Sequence, residues 1–194
     1  MTTRITSLIH RSTASILHLA LLGSLVTVAP LFAADDAANK HSTHEQTAPA
    51  TLVEQVRAGT KRYIDVNAAT AAGYGPFLGC VAGTDHGAMG VHYVNGTLLA
   101  DLTLDPAQPQ ALIYEPSSDG KMTLVGVEFI LDSASWLAAN NNTSPVLDGQ
   151  VFNFVPAPNR FSINSFFELH VWAWRDNPQG SFVDWNNGVT CEHQ

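Results

Sequence analysis

FFELHVWAW, residues 166–174, is the stretch of this sequence that most constrains the fold. Because side chains alternate across a β-strand, Glu168 and His170 share one face with the two tryptophans of this stretch, and hydrophobic residues fill the other face. Both faces are therefore largely apolar, which predicts a strand that is covered on both sides. A carboxylate and an imidazole buried two residues apart must pair with each other, bind a ligand or face a cavity.

Local patterns elsewhere in the chain complete the expected fold. Thr51 and Glu54 form a capping box ahead of a predicted helix of about 20 residues that ends at Gly73. The glycine-rich segment 73–87 predicts a loop, and 133–139 predicts a short helix. Hydrophobic runs bounded by turn formers predict strands at 89–95, 111–115, 122–131, 151–155 and 166–174, with a sixth at 182–185.

The connections between these strands are too short for repeated crossover helices, so the sheet should be antiparallel. One helix followed by five or six strands is an α+β pattern. We therefore expect an N-terminal helix packed on a curved antiparallel sheet or a partial barrel of five to six strands.

The N-terminus predicts export. Arg4 and Arg11 precede an apolar run at 16–28, and small residues follow it. The run of about 13 residues is shorter than the roughly 20 that a membrane-spanning helix needs, so residues 1–33 are interpreted as a cleaved signal peptide. The polar segment 34–50 is predicted to be a flexible tail, and 51–194 a single α+β domain. We expect a secreted or periplasmic protein without stable membrane insertion.

Charge argues against one class of partner. The full chain carries nine basic and 17 acidic side chains, for a net charge of −8. Cleavage after residue 33 would remove two basic and no acidic residues, which leaves a net charge of about −10. Such an acidic chain is a poor nucleic-acid binder, so nucleic acid is not an expected partner.

The chain contains two cysteines, Cys80 and Cys191. An exported protein meets oxidising conditions, in which such a pair commonly forms a disulfide. We expect this disulfide to be structural, because neither cysteine lies in a CxxC or another closely spaced metal-ligand pair.

Four ionisable residues lie within hydrophobic, strand-like segments besides Glu168: His92, Glu115, Glu128 and His170. If 111–115 and 122–131 form a hairpin, Glu115 and Glu128 lie roughly 17 Å apart along it, so they cannot bind the same ion. Glu115 also precedes a proline at the turn, which predicts an exposed carboxylate. The remaining hypothesis is a metal site formed by His92, Glu128 and His170, with Glu168 as a further ligand or as the group that orients a histidine.

Imidazole and carboxylate ligands suit a divalent ion such as Zn, Mn, Fe or Cu. The sequence therefore predicts an exported protein that binds a small ligand or a metal in a polar cavity. Two alternatives fit the same residues. One is a metal-dependent enzyme that acts on a small molecule in the periplasm, since an open coordination position permits Lewis-acid chemistry. The other is a structural His/Glu network in a carbohydrate or aromatic-ligand binding module, with Trp172, Trp174 and Trp185, together with Asp176 and Asp184, as a stacking platform.

Two segments also resemble a group of uncharacterised exported bacterial proteins. These segments are GAMGVHYVN at 87–95 and ELHVWAWRDNPQGSFVDWN at 168–186, which a cysteine follows closely. The resemblance implies export in bacteria. It implies no catalytic residues, because the group carries no known activity.

Overall fold

The computed structural model describes residues 51–194, so the predicted signal peptide at 1–33 and the predicted tail at 34–50 lie outside the described residues. The described part is an α+β fold, as expected. It contains an open six-stranded antiparallel sheet with the strand order β1-β2-β3-β4-β8-β7 and a separate two-stranded ribbon, β5-β6. The strands are β1 (Tyr74–Ala82), β2 (Ala88–Asn95), β3 (Ala111–Pro116), β4 (Met122–Asp132), β5 (Val146–Leu147), β6 (Gln150–Val151), β7 (Asn153–Val155) and β8 (Phe166–Val171).

The single N-terminal helix that was predicted is divided into three shorter segments. It consists of α1 (Leu52–Thr60), a 3-10 turn (Lys61–Ile64) and α2 (Val66–Ala71). The predicted capping box is present, because Thr51 Oγ1 accepts from the Glu54 backbone and Glu54 Oε2 accepts from the Thr51 backbone at 2.8 Å. The prediction of one continuous helix was wrong, because the Asp65 side chain accepts from the Asn67 backbone and starts a second helix.

Two further helices lie between strands. The short helix predicted at 133–139 is α4 (Ser133–Ala139), and the side chain of Asp132 caps it. The helix α3 (Gly96–Asp101) was not predicted. The side-chain oxygen of Asn95 caps it by accepting hydrogen bonds from the backbone N–H groups of Thr97 and Leu98.

The segment 73–87 was expected to be a loop, but most of it forms the edge strand β1. This strand contains a bulge that includes one of the glycines. Phe77 pairs with His92 and Cys80 pairs with Val91, which leaves Leu78 and Gly79 outside the register. The strand predicted at 182–185 is absent from the described structure, in which those residues lie in turns. Two other boundaries differ: 151–155 is divided between β6 and β7, and β8 ends at Val171 rather than at 174.

The two faces of the sheet have different roles. One, which we call the helix face, packs on α1 and α2 and forms the main core; its members include Leu112, Tyr114, Val127, Phe129, Leu131, Phe167, Leu169 and Val171. The other, which we call the site face, has a small core of Ala88, Ile113, Val125, Trp172 and Val189. The polar residues described below lie on the site face.

The predicted disulfide joins Cys80 to Cys191, with 5.7 Å between their Cα atoms. It connects β1 to the C-terminal segment. Disulfides are typical of proteins in oxidising compartments. Within 51–194, no helix is long and apolar enough to cross a membrane.

Candidate metal centre

Two neighbouring interior strands, β4 and β8, bring three of the predicted site residues together. Glu128 of β4 lies directly opposite His170 of β8, and Ile130 lies opposite Glu168. Directly opposite residues of antiparallel strands project from the same face with closely spaced Cβ atoms. Glu128, Glu168 and His170 therefore share the site face, and all three are at most 5% exposed.

His92 reaches the same cluster from β2, across the intervening strand β3. Its position on β2 pairs with Ile113, while Glu128 pairs with Ala111. His92 Nε2 lies 3.2 Å from Glu128 Oε2, and the His92 residue is 7% exposed.

His170 is the central residue of the cluster and has unusual surroundings. It is 1% exposed, and neither of its ring nitrogens has a hydrogen-bond partner within residues 51–194. Its Nδ1 lies 3.7 Å from Oδ1 of Asp184, which is too far for a hydrogen bond. Its ring meets the His92 ring edge-on at 5.9 Å and stacks on Trp172 at 6.1 Å.

The carboxyl groups of the cluster titrate in opposite directions. Burial favours the neutral form of Glu128, but His170, His92 and a hydrogen bond with Glu168 together outweigh it and lower the pKa of Glu128 to about 2. Burial raises the pKa of Glu168 to about 10, and the charges of Glu128 and Asp184 contribute to that rise. At neutral pH, Glu168 is therefore a neutral acid beside an ionised Glu128.

Burial also lowers the pKa of His170, and His92 adds to that effect, although Glu128 and Asp184 oppose it. His170 is thus a neutral imidazole at neutral pH. A neutral imidazole carries a free lone pair on one nitrogen, which is the form that binds metal ions.

His92, Glu128 and His170 offer one ligand atom each, and these atoms lie within 4.8 Å of one another. A second group, Glu168, His170 and Asp184, meets the same criterion and shares His170 with the first. Two ligands at about 2.0–2.1 Å from a tetrahedral zinc ion lie roughly 3.3 Å apart. The 3.2 Å between His92 Nε2 and Glu128 Oε2 fits that separation. These buried residues are therefore close enough to bind a metal ion.

Asp184 was not among the predicted site residues. It was assigned to the stacking platform beside the tryptophans, in the segment 182–185 that was predicted to be a strand. Its approach to His170 depends on how residues 176–191 fold back over the site face, and no periodic pattern reports such a contact. Its side chain also accepts a hydrogen bond from Asn153 Nδ2 at 3.1 Å.

Glu115 lies away from the cluster, as predicted, but the prediction that it is exposed was wrong. Glu115 pairs with Thr123 on β4. It lies four residues along β3 from Ala111, which pairs with Glu128. Its side chain is 14% exposed and forms an ion pair with Arg175 at 2.5 Å. Its other oxygen accepts from the Thr190 backbone at 2.9 Å, so Glu115 anchors the C-terminal segment.

The tryptophans do not form one platform. Trp172 is 3% exposed and donates from Nε1 to the Val183 carbonyl at 2.6 Å. The predicted shared face was wrong for Trp174, which packs against the main core and donates to Thr60 Oγ1 at 3.0 Å. The reason is a tight turn after β8, in which the Ala173 backbone donates to the Val171 carbonyl.

Comparison with known proteins adds no relative: no protein family, no curated protein and no solved structure matches this chain.

Proposed function

We propose that this protein is exported and binds a divalent transition-metal ion, Zn, Mn, Fe or Cu, through His92, Glu128 and His170. The observation that carries the proposal is the buried His170 ring, whose two nitrogens have no hydrogen-bond partner within 51–194. Leaving a buried polar atom without a partner costs about 1–3 kcal/mol. A metal ion on one nitrogen would remove part of that cost.

The alternative of a purely structural His/Glu network explains His92 and Glu128, which interact at 3.2 Å. It does not explain His170, because a structural network is expected to satisfy each of its buried members. The unpartnered ring therefore favours metal binding over a structural role.

The position of Asp184 supports the same proposal. Histidines that bind metals commonly direct their second nitrogen at a carboxylate, which fixes the tautomer and the ring orientation. Nδ1 of His170 faces Asp184 at 3.7 Å, which leaves Nε2 as the nitrogen for the metal. In this proposal Asp184, rather than Glu168, is the group that orients the histidine.

A second candidate function is a metal-dependent enzyme acting on a small molecule. Two imidazoles and one carboxylate supply three protein ligands, which leaves coordination positions for a substrate or for water. A groove that opens beside His92 and Glu128 favours this candidate, because it would give a substrate access to those positions.

Metal analysis of protein made without a polyhistidine tag tests the proposal. We expect about one ion per chain in the wild type and its loss in His92→Ala and in His170→Ala. His193→Ala is the matched control, because His193 is exposed and lies outside the cluster. A metal-free wild type whose melting temperature does not rise with Zn, Mn, Fe or Cu would refute metal binding. Turnover assays on the metal-loaded protein then address the enzyme candidate.

A further inference from the structure

A hydrophobic groove lies along the site face and ends at the polar cluster. Its cavity volume is about 50 Å³, and the empty space between its walls reaches about 420 Å³ when the part open to solvent is included. Its polar lining residues are His92, Glu128 and Glu168. The remaining lining residues are hydrophobic and include Phe77, Leu78, Phe161 and Ile163. The groove therefore has a polar end and an apolar body.

One wall of the groove is the bulge of β1. Phe77 and Leu78 are 42% and 56% exposed, although both are large hydrophobic residues. In a regular strand two successive side chains would point to opposite faces, but the bulge lets both of these line the groove. The φ of Leu78 is +59°, a left-handed conformation that costs free energy for a residue other than glycine.

The opposite wall is the loop between β7 and β8. Asn159 holds that loop in place: its Oδ1 accepts from the Phe161 backbone at 3.2 Å, and its Nδ2 donates to the Ile163 carbonyl at 3.0 Å. Phe161 packs against Phe166 with their ring centroids 6.1 Å apart, while Ile163 remains 38% exposed. Both walls are therefore formed by the fold itself, and both remain open to solvent.

The lining residues restrict the class of ligand. Among the described residues, the groove beyond its polar end has no side chain that forms conventional hydrogen bonds, so it does not suit a sugar, which needs such partners around its ring. Within 51–194 no Lys or Arg lines the groove, so an anionic head group would need a bound cation for charge compensation.

Resting on the metal site of the proposed function, we infer that the groove binds a small amphiphilic molecule. Its hydrocarbon or aromatic body lies between Phe77 and Ile163. Its oxygen or nitrogen head group lies at His92 and Glu128 and occupies an open coordination position of the metal.

Two hydroxamic acids test this inference, octanohydroxamic acid and acetohydroxamic acid, because they share a metal-binding head group and differ only in chain length. Their affinities are measured by calorimetry on the protein as purified, alongside its metal content. Each fully buried methylene strengthens binding by about fourfold, so we expect the longer acid to bind at least tenfold more tightly. The preference should shrink at least threefold in Phe77→Ser and in Ile163→Ser, which retain the metal. Ile64→Ser is the control, because Ile64 is 52% exposed and does not line the groove.

The two proposals fail separately in this experiment. One ion per chain with equal affinity for both acids would overturn the groove inference and leave the metal site intact. A chain-length preference in a protein without metal would overturn the metal site and retain the hydrocarbon site. Equal affinities without metal would overturn both. If a second copy of the chain covered the groove instead, sedimentation would show a dimer that Phe77→Ser dissociates, without any chain-length preference, and that result also overturns the inference.

Discussion

Replacing Glu168 with Gln should change the pH dependence of stability in the metal-free protein. Burial, Glu128 and Asp184 raise the pKa of Glu168 from 4.5 to about 10, so the folded state holds a proton that the unfolded chain releases above pH 4.5. Stability from this group is fully present below pH 4.5 and falls as the pH rises towards 10. One proton gives a slope of about 1.4 kcal/mol per pH unit, or roughly 4 kcal/mol from pH 5 to pH 8.

Glu168→Gln keeps the neutral, hydrogen-bonding form at every pH and should remove that slope. The assay is urea unfolding at several pH values from 5 to 8, with a chelator present throughout. Glu192→Gln, a change at an exposed carboxylate, is the control and should keep the wild-type slope. A Glu168→Gln protein whose stability falls with pH as steeply as the wild type would refute a protonated Glu168. The same series extended to acid tests Glu128, whose lowered pKa predicts a loss of stability as the pH falls from 4.5 towards 2.

Three other variants have expected effects on the free energy of unfolding, each measured by urea denaturation. Replacing Cys80 and Cys191 with Ala should cost about 4 to 5 kcal/mol, because the disulfide closes a loop with a sequence separation of 111; an unchanged midpoint would contradict this. Gly90→Ala should cost at least about 2 kcal/mol, since Gly90 has a φ of +97° and an added Cβ would lie 2.7 Å from the Tyr114 carbonyl oxygen; a neutral result would exclude this crowding. Trp172→Ala should cost about 3–5 kcal/mol through the cavity it leaves, and a loss below 1 kcal/mol would mean that the site face collapses around it.

The helices and strands that were predicted correctly are those whose sequence patterns depend on only a few neighbouring residues. The capping box at Thr51 and the alternation in 122–131 and 166–171 each depend on neighbours within a few residues, and each element is present. The same alternation predicted that Glu168 and His170 share a face, but it could not predict that Glu128 lies beside them, because the pairing of β4 with β8 is a contact between distant segments. His92 was included in the predicted site because it is an ionisable residue in a hydrophobic, strand-like segment, and no spacing rule pointed to it.

The remaining features depend on contacts between distant segments. Asp184 lies near His170 only because of how the C-terminal segment folds. Arg175 pairs with Glu115, which lies 60 residues earlier in the chain, and shields it from solvent. β1 was missed because its glycines, which usually signal a loop, are accommodated by a bulge at an edge. Trp174 was assigned to the wrong face because a turn after Val171 interrupts the alternation.

The bulge in β4 connects the site face to the segment that follows β8. Tyr114 pairs with Leu124 and Ile113 with Gly126, so Val125 is an extra residue, and its carbonyl accepts from the backbones of Trp174 and Arg175. Deleting Val125 would make Leu124 and Gly126 successive residues opposite Tyr114 and Ile113, so the ladder would become regular and Glu128 would stay on the site face. The deletion would instead remove the carbonyl that accepts from Trp174 and Arg175. The bulge therefore positions the chain that leads to Asp184 and does not set the orientation of Glu128.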